Sequence, residues 1–439
     1  MAQEQTVGEP QAGSGDRTRD YLDGTYGALL VDRASRRPEL WGFVFMAILG
    51  AVVFLATADP KPQALDYFNR LAEAFLHGRY WLDEAPSWLN ELIPAPNEVG
   101  RWYVAYPPMP AVLALPWVAV FGRDFPAQVY SSIYAGLATG LVYLALGRLP
   151  LGLRIRDRLG LTAVFAFGTC FWFVAIGGSA WYFAHVSAVL LFAAAMWCAL
   201  TKQPAWLAGL LLGLAAMSRL PVGLALPLVL AAQLGFPGLT WLRTMDRATF
   251  AATVRTTIVF GLGLAVPAAI YLGFNLVRWG TLGDQGYTLI PGVLEDPIYI
   301  DHGILSIHYI PRNLFAILFR SWNYVDTFPW LQPSWWGLGI FLTTPLYLWL
   351  FKARIRQPEV AWSVLAIALV SIPILTHGNV GITQFGYRFS LDFQLPLFVI
   401  LATVVARGGW TRLMTVAAVL SIVICAYAVW AISVEFVAF

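Results

Sequence analysis

Apolar residues along this chain come in long, nearly unbroken runs, and helical or strand-like alternation is confined to the stretches between them. A helix that crosses a bilayer needs about 20 predominantly apolar residues. On that criterion the chain predicts about eleven spans. They run near 40–58, 125–147, 160–177, 181–201, 204–218, 220–236, 256–277, 334–351, 360–377, 391–406 and 413–434. The fifth and sixth are short, and Ser218-Arg219-Leu220-Pro221 divides them into what reads as one broken or shallow pair. The predicted class is an all-α polytopic membrane protein.

Composition agrees with that reading. Of 439 residues, 59% are apolar and only 12% are Asp, Glu, Lys or Arg, about half the roughly 25% of soluble domains. A water-exposed surface of this size could not be covered with so few charges, which excludes a soluble enzyme or a disordered chain. A net charge of +3 gives no footprint for nucleic acid. The three cysteines, Cys170, Cys198 and Cys425, sit in apolar runs without metal-ligand spacing, so neither a disulfide scaffold nor a zinc site is expected.

Charge placement sets an orientation. With residues 1–38 as a polar cytoplasmic tail, most Lys and Arg fall on one face of the membrane and most Asp and Glu on the other. Residues 39–439 then form a single transmembrane domain whose first span is an uncleaved anchor. Two outer segments are long, 59–124 and 279–333, and a third near 378–390 is short but polar. Binding and catalytic residues concentrate in such non-spanning segments, so the outer face is where chemistry is sought.

Within the first outer segment, residues 62–78 read as an amphipathic helix with Pro62 in the first turn and Gly78 at the stop. Leu65, Phe68, Leu71, Phe75 and Leu76 form one stripe, and Asp66, Arg70, Glu73 and His77 the opposite one. The expected place for such a helix is the membrane surface, apolar face down, with Asp66–Arg70 and Glu73–His77 pairs on the polar face. The dense aromatics and prolines from Tyr80 to Pro110 predict a segment packed on the bundle. Ala111–Phe121 is too short to span, which predicts a second surface helix.

A long acidic outer loop after the first span, two surface helices in it and Pro107-Pro108 before the second together resemble the GT-C membrane glycosyltransferases. The closest likeness is to the polyprenyl-phosphate-sugar group, such as protein O-mannosyltransferases, aminoarabinose transferases and RgtA-like enzymes. Residues 59–122 carry most of it. Weaker echoes lie at Met217-Ser218-Arg219, around Asn275 and Gly286-Tyr287, at Tyr309–Asn313 and over Gln384–Asp392. The resemblance implies an inverting transferase that takes a sugar from a polyprenyl-phosphate donor to a lipid, glycan or protein acceptor on the outer face. A bacterial inner membrane, with the N-terminus cytoplasmic, is the expected location. The family usually has an acidic residue, often an Asp-Glu pair, early in the first surface helix; here Asp66 is followed by Tyr67, and the adjacent pair, Asp83-Glu84, comes at the far end of that loop.

A phosphate leaving group needs no proton from a carboxylic acid near neutrality, so one base suffices to activate the acceptor hydroxyl. Asp66 is the first candidate for that base, followed by Glu91 and Glu84. Arg is suited to the departing phosphate by its planar fork, and Arg388, Arg219, Arg79 and Arg312 are the outer-face candidates. His77, Tyr103, Asn275, Tyr287, Gln384 and Tyr387 are candidate sugar-binding residues. No metal or other cofactor is required by this chemistry, although acidic clustering is compatible with a divalent cation. The rival reading is a transporter or flippase of a lipid-linked sugar or small solute, which predicts internal repeats and ionisable groups at mid-membrane. No repeat is evident. A membrane acyltransferase would need His, Ser or Cys in an activating arrangement, which the five histidines do not offer.

Overall fold

The computed structural model describes residues 39–61, 65–96, 98–238, 240–241 and 245–436. The expected tail over 1–38 and the expected first-turn Pro62 lie outside those residues. Helices make up 66% of the molecule.

The chain begins with α1 (Glu39–Thr57). The first long connection then builds α2 (Tyr67–Leu76), an antiparallel hairpin of β1 (Leu92–Pro94) with β2 (Trp102–Val104), and α3 (Met109–Phe121). Then come α4 (Ala127–Arg148), the bent pair α5 (Ile155–Phe167) and α6 (Phe171–Gly177), α7 (Ala180–Leu200) and α8 (Ala205–Ala216). A 3-10 turn, Leu220–Ala225, leads into α9 (Leu226–Leu234), and α10 (Arg247–Trp279) follows. The second long connection holds short 3-10 turns, α11 (Ile310–Leu318) and a minimal hairpin, β3 (Asn323–Tyr324) with β4 (Leu331–Gln332). Last are α12 (Ile340–Thr343), a 3-10 segment Pro345–Lys352, α13 (Pro358–Thr376), α14 (Leu391–Gly408) and α15 (Arg412–Ser433).

Among the described residues, seven helices are long and apolar enough to cross a membrane, or eight if α5 and α6 make one bent span. The molecule is an integral membrane protein. Burial divides these helices by role. The α14 window is 94% buried and that of α7 83%, whereas only 17% of the α1 window is covered. An apolar helix buried all round is core, and one left bare in such a protein faces lipid.

The segment expected to span at 334–351 is the main departure. It contains only the one-turn α12 and an eight-residue 3-10 run. Pro345 stops α12, and Gly337 takes a positive φ of 87° where its backbone abuts that of Gly386. A Cβ at Gly337 would lie 2.4 Å from the Gly386 carbonyl oxygen. Apolar content is therefore used here to pack a loop against the start of α14.

The helix expected at 62–78 forms over Tyr67–Leu76 and is amphipathic, but both stripes contribute to the interior. Asn69 and Arg70 are buried with Tyr67, Phe68 and Leu71. Asn69 Nδ2 donates to the carbonyls of Arg123 (2.7 Å) and Phe125 (2.9 Å), tying α2 to the turn before α4. The expected Asp66–Arg70 pair is present at 2.9 Å. In place of the Glu73–His77 pair, Glu73 accepts from Arg123 (3.2 Å), and the His77 ring meets its own helix at the Glu73 carbonyl (2.8 Å).

Candidate active site

The long connections, the N-terminus of α7, the C-terminus of α8, the C-terminus of α13 and the lead into α14 all meet at one end of the bundle. They enclose a cavity of about 560 Å³. Its polar lining includes Glu91, Tyr106, Trp181, Arg219, Tyr287, His377, Asn379 and Arg388, with Asp284 at an exposed position. Its rim is apolar where Leu220, Leu224 and Leu305 are well exposed.

Glu91 is held from three sides. It immediately precedes β1, and its own N–H donates to the Tyr67 hydroxyl at 2.9 Å. Trp181 Nε1 donates to Oε2 at 3.0 Å and lies 2.6 Å from the Tyr106 hydroxyl. Tyr67 and Tyr106 meet edge to face at 5.4 Å, a geometry that fixes both rings. Tyr287 lines the cavity beside it. Burial raises the Glu91 carboxyl above its ordinary value, and the Trp181 bond, Arg388 and Tyr287 offset only part of that. Tyr287 reaches the site because Gly286 crosses the Ala105 carbonyl closely: a Cβ there would meet that oxygen at 2.3 Å.

Two guanidiniums face the same space. Arg388 is buried, donates through Nη1 to the Ile382 carbonyl, and packs over Phe389 (5.1 Å), Trp181 (5.8 Å) and Tyr182 (5.9 Å). Its Nε has no partner among the described residues, an unmet donor that is costly unless something else bonds it. Arg219 grips Asp392 with Nε at 3.2 Å and Nη2 at 2.8 Å, and His185 Nδ1 lies 3.1 Å from the same carboxylate. Asp392 stands four residues after Arg388, a spacing that suits a pair on one helix face. The carboxylate instead serves Arg219, leaving Arg388 free of any acid at salt-bridge distance among the described residues.

No family model matches the chain, and no curated protein does. Among solved structures it is similar to the S. cerevisiae protein O-mannosyltransferase complex bound to the sugar donor, at 18% identity and a TM-score of 0.36. That match covers 62% of this chain and 36% of the other. It is also similar to an Archaeoglobus fulgidus oligosaccharyltransferase tethered with an acceptor peptide, at 13% identity and a TM-score of 0.39, over 88% of this chain and 55% of the other. Both are GT-C membrane glycosyltransferases. The chain thus spans from about a third to about half of the length of these neighbours. At such scores the likeness is loose, and the functional argument rests on the site itself.

The residues singled out from sequence divide cleanly. Glu91, Arg219, Arg388 and Tyr287 converge on the cavity. Asp66 does not line it; burial raises its carboxyl, with the Arg70 bonds opposing. Glu84 is on the outside, shared by Arg70 and Arg123. Arg79 pairs with Asp83, and His77 is exposed. Arg312 lines a second cavity. Tyr103 stacks on Tyr80 (6.0 Å) and meets Trp279 edge-on (5.4 Å). Asn275 accepts from Arg278 at 2.9 Å. Gln384 braces the loop before α14: its Nε2 donates to the Trp336 and Val380 carbonyls, and its Oε1 accepts the Arg388 N–H at 3.2 Å. Tyr387 is fully buried away from the cavity.

Sequence reasoning missed Trp181, His377 and Asn379. Trp181 opens α7 beside an apolar run and looks like an interfacial anchor. His377 and Asn379 stand at the edge of the short polar segment near 378–390, which was the available signal. Asn379 N–H donates to His377 Nδ1 at 3.0 Å, and burial pushes that imidazole down to about 4, so it is neutral near physiological pH. Among the described residues no group of three His, Cys, Asp or Glu could hold a metal.

Proposed function

We propose that this protein is an inverting glycosyltransferase, moving a sugar from a polyprenyl-phosphate donor to an acceptor hydroxyl on the non-cytoplasmic face of a bacterial inner membrane. The observation that carries the reading is that, of the two carboxylates lining the cavity, Asp284 is exposed and bonded to the Gly286 N–H, while Glu91 is half-buried and shares the space with two arginines behind an apolar rim. The apolar rim suits an isoprenoid tail lying in lipid, and Arg388, with its unmet Nε donor, suits the phosphate at the head of that tail.

In this mechanism the Glu91 carboxylate takes the proton of the acceptor hydroxyl as the oxygen attacks the anomeric carbon. The bond to the phosphate oxygen breaks on the opposite face, and the configuration inverts. The phosphate leaves as an anion, its new charge met by Arg388 and Arg219. Asp392 and His185 hold Arg219 in place. Aromatic faces around the cavity and the polar atoms of Tyr287 and Asn379 offer the sugar its contacts. Basic residues gathered on the opposite side support a cytoplasmic N-terminus, with residues 1–38 as its tail and 39–439 as one transmembrane domain. In the same reading α8 and the 220–234 unit are partial spans, which gives ten of the expected eleven a counterpart, and α2 and α3 are the expected surface pair.

The test is turnover of polyprenyl-phosphate sugars by purified protein in lipid nanodiscs. Glu91→Gln is expected to lower kcat by about 10²–10⁴-fold, the usual contribution of a general base, while Asp66→Asn keeps most of it. Full turnover in Glu91→Gln with loss in Asp66→Asn would move the base to Asp66. No turnover with any polyprenyl-phosphate sugar by the wild type would reject the donor class.

A further inference from the structure

A second cavity of about 370 Å³ lies against the first, lined by Ile298, Arg312, Arg320, Ser321, Asn323, Ser334, Trp336, Gly378, Asn379 and Val380. Asn379 belongs to both walls. Where the first cavity has an apolar rim, this one offers hydroxyl, amide and guanidinium groups and no acid.

Its arginines, like Arg388 and Arg278, bond neutral acceptors and have no carboxylate partner among the described residues. Arg70, Arg79, Arg101, Arg123 and Arg219 each have a carboxylate partner. Arg312 and Arg320 have none among the described residues: Arg312 donates to the Gly378 carbonyl and Arg320 to the Trp336 carbonyl at 2.9 Å. A guanidinium carries five N–H donors, and both side chains line the cavity with one hydrogen bond each, so each has donors beyond that bond. Burial, and behind it the Arg312 charge, pushes Arg320 below its ordinary value. Two like charges facing one space repel until an anion joins them.

We propose that this second cavity binds an oxyanion, carboxylate or phosphate, carried by the acceptor, so that the enzyme glycosylates acidic acceptors. The inference rests on the glycosyl-transfer reading for its role and on the two unpaired arginines for its chemistry. A donor confined to lipid enters by the apolar rim, and a polar acceptor enters from water through the arginine-lined side. The partition between them is the His377–Asn379 segment.

Binding is measured first without any donor, using inorganic phosphate, a free hexuronate and the matching neutral hexose. Wild-type protein is expected to bind the two anions and not the hexose. Arg312→Gln and Arg320→Gln should each raise the anion Kd by about tenfold or more, a change of about 1.4 kcal/mol, whereas Arg79→Gln, at an arginine paired with Asp83 outside both cavities, should not. Equal binding of hexose, unchanged anion affinity in both variants, or an equal loss in Arg79→Gln would overturn the site. If the variants do not fold, dicarbonyl labelling of wild-type arginines replaces them. Phosphate and hexuronate should protect Arg312 and Arg320 together, and unprotected labelling refutes the proposal. In turnover, Arg312→Gln should raise KM for an anionic acceptor while leaving donor KM unchanged. Anion binding at these arginines without any turnover would retain the site but remove its acceptor role, and so separates the failure of the enzymatic reading from the failure of this one.

Discussion

Glu91 and Asp66 are carboxylates of the same outer loop, and what separates them is company. Asp66 stands one helical turn from Arg70 and is claimed by it. Glu91 has only neutral donors and a more distant Arg388, and burial raises its carboxyl. A base must be deprotonated to act, so kcat/KM is expected to fall as pH drops through a value above the ordinary carboxylate 4.5. The acid limb should be absent from the residual activity of Glu91→Gln. A profile measured from roughly pH 4 to 8 that keeps the same limb in that variant would assign it to another group. The sequence could name these acids, and it put Asp66 ahead of Glu91. An i,i+4 pair is visible in a string of letters, whereas the Trp181 indole that holds Glu91 comes ninety residues later. Arg219 and Arg388 were legible because an arginine bordering apolar runs needs a reason to be there. Their division of labour was not, since Asp392 is four residues from one and far along the chain from the other.

Long spans were legible for a plain reason: hydrocarbon demands about 20 apolar residues and a closed set of backbone hydrogen bonds. Helices α1, α4, α7, α10, α13, α14 and α15 all fall on predicted runs. The 334–351 run met the composition but not the geometry, because Gly337 and Pro345 bend it into a brace for Gln384 and Arg388. Amphipathic α2 was legible as a helix but not as a buried one, since Arg70 finds its acids within the fold. Close packing of α8 on α10 depends on small residues. A Cβ at Gly263 would lie 1.9 Å from the Trp206 carbonyl, and one at Gly209 would lie 2.0 Å from that of Phe260. Gly263→Val should therefore force the two helices apart and destabilise the protein by about 1–3 kcal/mol, the usual cost of overpacking. Thermal unfolding in detergent checks this, and an unchanged midpoint would show that the interface is not as tight as described.

At the scale of the whole molecule two unlike cavities adjoin, one edged by exposed leucines and one lined by arginines. Leu224, on the apolar edge, is 43% exposed and has no polar role. Leu224→Asp is expected to raise KM for a long-chain polyprenyl donor by about tenfold or more, since a charge there resists an apolar tail. A truncated, water-soluble donor should be far less affected. Equal loss with both donors would place the defect in folding rather than in tail entry.

The carbonyl of Trp336 accepts from Arg320 at 2.9 Å and from Gln384 Nε2 at 3.1 Å, and Gln384 in turn receives the Arg388 amide. One oxygen is thus shared between the walls of the two chambers. An occupant that draws Arg320 toward itself leaves that oxygen to Gln384 alone and firms the mount on which Arg388 rides. If filling one compartment tuned the other through this oxygen, no hinged flap would be needed, and thermodynamic reciprocity would make each ligand shift the equilibrium affinity of its counterpart by the same factor.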